Sequence, residues 1–153
     1  MKDKVLLIAK YFISRNIKDK RSLSNKKLQK LLYYAQAWNL VLNNKKLFNN
    51  DIEAWIHGPA IRSIYTRYKG FGFNNIEDKI DENEFKSLSK DEIKVLNAVW
   101  DVYGKYDADY LEKLTHSEEP WISTRNNLLP YEGSTRVIST DLMKNYYGGQ
   151  ISK

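Results

Sequence analysis

The stretch SNKKLQKLLYYAQAWNLVL, Ser24 to Leu42, decides how this chain is read. Leu28, Leu31, Leu32, Ala35 and Leu42 recur at helical spacing, and Tyr34, Trp38 and Val41 widen the apolar stripe. Ser24 is placed to cap the helix. Leu23 before it and Leu28 inside it form a hydrophobic staple. Asn43-Asn44 supplies a stop.

Working outward, Val5, Ile8, Ala9 and Phe12 mark an earlier helix from about Lys4 to Arg15. After the long helix, Phe48, Ile52, Ala54 and Ile56 alternate loosely around Asn49-Asn50-Asp51, which predicts a short strand or small hairpin over 47–56. Gly58-Pro59 is expected to open a third helix, with Ile61, Ile64, Tyr65 and Tyr68 lining one face and Gly70 as its stop. Residues 70–87 read as an acidic loop, carrying Glu77, Asp78, Asp81, Glu82 and Glu84, with room for a short strand near Phe73 to Ile76. Ser89 and Glu92 form a capping box, stapled by Leu88 and Ile93. The helix they start turns Ile93, Leu96, Val99, Trp100 and Tyr103 to the core and stops at Gly104. Asp107 caps a helix through Leu111 and Leu114. Ser117 is expected to cap another through Trp121 and Arg125. Arg136 to Ile138 reads as extended, and Ser139 caps a last helix, stapled by Ile138 and Met143 and ended by Gly148-Gly149. The fold class is therefore mainly α: one compact multi-helix domain over 1–153, core about 4–147 and loose tail 148–153, with a minor hairpin.

With 153 residues, 42% of them hydrophobic and 29% charged, the chain has the makings of one globular core. It holds no cysteine, so disulfides, thiol catalysis and cysteine metal sites are excluded. The apolar run Val5 to Ala9 is too short to span a membrane, and no cleavage site of small residues follows it. A cytoplasmic protein is expected. Twelve of the 25 Lys and Arg residues fall within residues 1–46, against Asp3 and Asp19 alone, so the remainder is net acidic. Lys18, Lys20, Arg21, Lys26, Lys27 and Lys30 crowd the joint before and inside the long helix. They read either as a solvated helical face or as a steering surface for an acidic protein or a nucleic acid.

Chemistry finds little footing. His57 and His116 are the two histidines, too few for a zinc site without acids, and no HExxH spacing exists. Both stand at joints where an imidazole bonds backbone. No nucleophile elbow is present, and Gly70-Phe71-Gly72 lacks the Gly-Lys-Ser/Thr end of a phosphate loop. The acids lie in capping or loop contexts. Neither catalysis, cofactor nor metal is expected. Binding another macromolecule is.

Four segments taken together go further: LQKLLYYAQAW (28–38); LF (47–48) followed by IEAWIHGP (52–59); YTRY (65–68) with its glycines; and THSEEPW (115–121) closed by Arg125. In this order the chain resembles the Panacea domain, or SocA-like antitoxin, family over about Lys4 to Tyr147. Such proteins are often encoded on phages and other mobile elements. The resemblance implies a mainly helical fold and an antitoxin that neutralises a cognate toxin encoded next to it by direct contact. Family members pair with many unrelated toxins, so the partner itself is not implied. Trp55, His57, Tyr65, His116, Trp121 and Arg125 become the candidate partner-binding residues, either as locks of two helix joints or as parts of one groove. A nucleic-acid-associated regulator of its own operon, a protease adaptor and a homodimer remain open alternatives.

Overall fold

The computed structural model describes residues 3–151. Seven α-helices appear among them: α1 (Lys4–Asp19), α2 (Asn25–Asn43), α3 (Arg62–Tyr68), α4 (Lys90–Tyr103), α5 (Ala108–His116), α6 (Glu119–Thr124) and α7 (Thr140–Ile151). One antiparallel hairpin joins β1 (Glu53–Trp55) to β2 (Gly58–Ala60). The mainly helical expectation holds.

α2 is the axis of the molecule. It packs against α1, α3, α4, α5, α7 and β2, and 14 of its 19 residues are buried. A helix this enclosed cannot be amphipathic in the ordinary sense. Its buried polar side chains instead hold the backbone of the loops around it. Gln36 accepts from the Leu47 amide at 2.7 Å and donates to the Phe48 carbonyl at 2.6 Å. Asn39 donates to the Lys45 carbonyl at 2.9 Å, and Lys27 to the Gly104 carbonyl at 2.6 Å. Each bond satisfies a main-chain group in a segment without regular structure. Leu42, placed on the apolar stripe by its spacing, is 55% exposed in the last turn of the helix.

The caps follow the sequence closely. Ser24 Oγ accepts from the Lys27 amide, Ser89 and Glu92 form the full capping box, and Ser139 Oγ accepts from the Leu142 amide. α1 runs one turn further than its apolar stripe, to Asp19, because Lys20 adopts the left-handed conformation and closes the end. Asp19 then accepts the Trp100 indole N–H at 2.6 Å, with Phe12 stacked on the same ring.

Five expectations need correction. The hairpin lies later than predicted. Glu53 faces Ala60, Ala54 faces Pro59 and Trp55 faces Gly58, so the turn is Ile56-His57 rather than Asn49-Asn50-Asp51. Gly58-Pro59 consequently belongs to β2, and α3 starts at Arg62; Gly58 has φ +111°, a backbone that cannot begin a helix. Ser117 ends α5 by bonding the Leu114 carbonyl, and Glu118 takes the N-cap position of α6. No strand forms at 73–76, where Ile76 gives a single main-chain bond to Leu23. α7 continues through Gly148-Gly149 to Ile151, with Gly148 facing Val41 of α2. Arg136 to Ile138 is extended as expected: it flanks β1, with Ala54 N–H to Arg136 O at 2.9 Å and Ile138 N–H to Ile52 O at 2.8 Å.

Candidate partner-binding cleft

The N-terminal half of α2 forms the floor of an open cleft of about 540 Å³. Asn25, Lys26, Gln29 and Lys30 lie on one helical face because their spacing is one turn. The hairpin turn, from Trp55 to Gly58, makes one wall. Arg62 and Tyr65 of α3 make the other, continued by Lys69 and Phe73, and residues 133–135 complete the rim. Most of the surface is apolar.

The floor is pinned by side chains. Gln29 accepts the Ile61 amide at 2.7 Å and donates to Asn25 at 3.1 Å. Asn25 in turn donates to the Tyr65 carbonyl at 3.1 Å. This relay fixes where α3 leaves the hairpin. Lys30 is 2% exposed and donates to the Pro59 carbonyl at 3.1 Å. A β-carbon at Gly58 would come within 2.5 Å of Lys30 Cε, so the glycine makes room for the lysine stem. Burial, reinforced by nearby Lys26 and opposed by Glu112, brings the Lys30 amine down to about 7.

Three of the six candidate partner-binding residues line the cleft: Trp55, His57 and Tyr65. Tyr65 is exposed and meets Trp55 edge-on at 5.0 Å. His57 is exposed and approaches Glu112 at 3.3 Å. The other three, His116, Trp121 and Arg125, stand behind the hairpin and brace it. Trp121 donates its indole N–H to the Trp55 carbonyl at 2.8 Å. His116 stacks on Trp121 at 3.8 Å, and burial lowers its imidazole pKa despite a backbone bond to Ile56. Arg125 is buried and donates to the carbonyls of Ala54, Leu129 and Glu132. Its guanidinium lies 5.0 Å from the Trp121 ring. The two predicted helix joints are thus one brace behind one cleft.

The basic cluster is largely engaged inside the molecule. Lys18 pairs with Glu82, and Lys26 with Asp109 and Glu112. Burial opposes the charge on Lys26, but the two carboxylates outweigh it and raise its pKa. Lys27 and Lys30 are buried against main-chain carbonyls. Arg21 lies over the Trp100 ring, which leaves Lys20 exposed at the αL position. In the acidic loop, Asp78 pairs with Arg67 and accepts from Tyr68, and Asp81 caps a short 3-10 turn.

Sequence reading missed Asn25, Gln29, Arg62, Lys69 and Phe73. The signal existed for the first two: a polar face, 25/26/29/30, inside an otherwise apolar helix. Phe73 is 91% exposed beside Gly72, itself at φ +57°. A large apolar residue in a glycine- and asparagine-rich loop is the corresponding hint.

Among the described residues no group of three His, Cys, Asp or Glu could hold a metal ion. No helix among them is long and apolar enough to cross a membrane. The helical scaffold carries a braced, largely apolar cleft. The family model described as antitoxin SocA-like, Panacea domain, matches residues 28–122, and the chain belongs to that family. The match runs from within α2 into α6, and so covers the hairpin and, of the brace, His116 and Trp121 but not Arg125. No curated protein and no solved structure matches the chain.

Proposed function

We propose that this protein is a cytoplasmic antitoxin that neutralises a toxin encoded beside it by direct protein contact, without catalysis of its own. Family membership carries this reading. The cleft supports it: aromatic side chains around a pinned floor resemble the anchor pockets of protein interfaces. The engagement of Lys18, Lys26, Lys27 and Lys30 within the fold favours a protein partner over nucleic acid, since few of the clustered cations stay free for phosphates.

The test is growth. The neighbouring open reading frame, induced alone, arrests cells. Co-expression of this protein restores growth, and the two products copurify at a fixed ratio. Arrest that persists in the presence of this protein, for every neighbour tested, rejects the reading.

A further inference from the structure

The charge lining the cleft is one-sided. Lys26, Lys30, Arg62 and Lys69 line it with His57, and no Asp or Glu does. Two of these cations are already engaged: Lys26 by Asp109 and Glu112, Arg62 by Glu53 at 2.8 Å. The other two are not. Lys69 is exposed and makes no ion pair among the described residues. Lys30 makes one hydrogen bond, to a carbonyl, and an ammonium carries three donors. The one carboxylate that acts on this amine, Glu112, is already held by Lys26 and His57, so donors of Lys30 are left over toward the cleft. Beside it stand the half-buried Trp55 and the exposed Tyr65 and Phe73.

We infer that the cleft receives a short acidic segment of the toxin, in which an Asp or Glu carboxylate faces Lys30 and Lys69 while an adjacent aromatic or aliphatic side chain lies among Trp55, Tyr65 and Phe73. This rests on the antitoxin reading and adds the chemistry of the contacting segment. Three observations favour a peptide. A bare anion such as phosphate would fill little of 540 Å³ and would leave the aromatic wall unused. A duplex backbone would find few free cations here, since Lys26 and Arg62 are already paired with carboxylates. An apolar side chain beside a carboxylate matches both halves of the lining, as interface anchors do.

The probe is the peptide acetyl-Asp-Glu-Phe-Glu-Asp-amide, titrated into the full-length protein and followed by amide and indole NMR shifts. Three controls accompany it: the amide version acetyl-Asn-Gln-Phe-Gln-Asn-amide, the serine version acetyl-Asp-Glu-Ser-Glu-Asp-amide, and inorganic phosphate. Shifts are expected at Trp55, Tyr65 and Phe73, with a dissociation constant on the order of 1 mM for so short a piece. Both control peptides should bind roughly tenfold more weakly, and added salt should weaken the parent peptide. Lys69→Glu should abolish the titration while leaving the spectrum folded. Equal binding of the amide peptide, equal shifts with phosphate, or no shift at all would overturn the assignment.

The growth assay separates this inference from the reading beneath it. If the wild type rescues and the double variant Lys69→Glu/Phe73→Ser rescues equally, the cleft is not the contact, although the antitoxin reading stands. If the wild type fails to rescue while the peptide binds as described, the toxin as source of the segment falls together with the antitoxin reading.

Discussion

The first turns of α2 and its middle are both largely buried and chemically opposite. In the middle, Tyr33 and Tyr34 meet Tyr147 and Tyr103. Tyr34 stacks on Tyr103 at 3.9 Å, and Tyr33 and Tyr147 share a hydrogen bond at 2.8 Å. Glu118 accepts from Tyr34 at 2.6 Å and from Tyr147 at 3.0 Å, and Trp38 donates to the Tyr103 hydroxyl at 2.9 Å. Burial raises the Glu118 pKa, and the two hydroxyls offset part of the rise. The four tyrosine hydroxyls, the Trp38 indole and one oxygen of Glu118 all have partners within the fold. Toward the N-terminal end the amides are equally well matched, but Lys30 has one partner and opens on a cleft without acids. Burial alone therefore does not separate architecture from function along this helix. What separates them is whether the buried groups are satisfied internally.

That contrast can be broken experimentally, and the largest effect belongs at the hairpin. Gly58→Ala places a β-carbon against Lys30 Cε on a backbone at φ +111°. Chemical denaturation should show a loss of about 3 kcal/mol. Adding Lys30→Ala should recover part of it; no recovery would locate the strain in the backbone alone. At the closed end, Tyr34→Phe removes a donor from a half-buried carboxylate and should cost about 2 kcal/mol. A loss below roughly 0.5 kcal/mol would mean that the network does not hold that end together.

Lys30→Met tests the open end through its pH dependence. The folded amine titrates at about 7, below the 10.5 of an ordinary lysine, because it is buried. Between those values the unfolded chain holds the proton and the folded one does not, so the wild type gains stability as pH rises. Below about 7 both states are protonated and the full cost of burying the charge remains. The variant should be the more stable one at pH 6.5, and the wild type should close the gap by up to about 1.4 kcal/mol per pH unit from 7 to 9. A difference that stays flat with pH would show that the amine is solvated. The smallest effect on stability is expected from Lys69→Glu, within about 0.5 kcal/mol, because the side chain is exposed and unpaired. Its consequence should lie in binding alone.

Much of this architecture is readable from the chain. The caps at Ser24, Ser89, Asp107 and Ser139 each use a side chain within three residues of its partner, so local sequence suffices. The apolar stripes of α1 and α4 behave likewise. The misread points depend on distant groups. Gly58-Pro59 looks like a helix start until Lys30, 28 residues away, claims the room beside the glycine and the proline carbonyl. Tyr65 fits the stripe of α3 by spacing, but α3 is short and lies at the edge of the cleft. Of the candidate site, Trp55, His57 and Tyr65 could be singled out from motif position. That His116, Trp121 and Arg125 brace the same hairpin from behind could not, because 60 or more residues separate Trp121 from Trp55 and the contact is tertiary.

The pinned floor sets limits on inheritance. Asn25, Gln29 and Lys30 each hold a piece of main chain in β2 or α3, directly or through one another, so replacing any of them disturbs the scaffold as well as the cleft. Arg62, Tyr65, Lys69 and Phe73 are exposed at the rim and can be exchanged with little effect on folding. On the proposed reading of the cleft, descendants of this chain can therefore drift toward new targets through a handful of rim positions while the frame is transmitted intact.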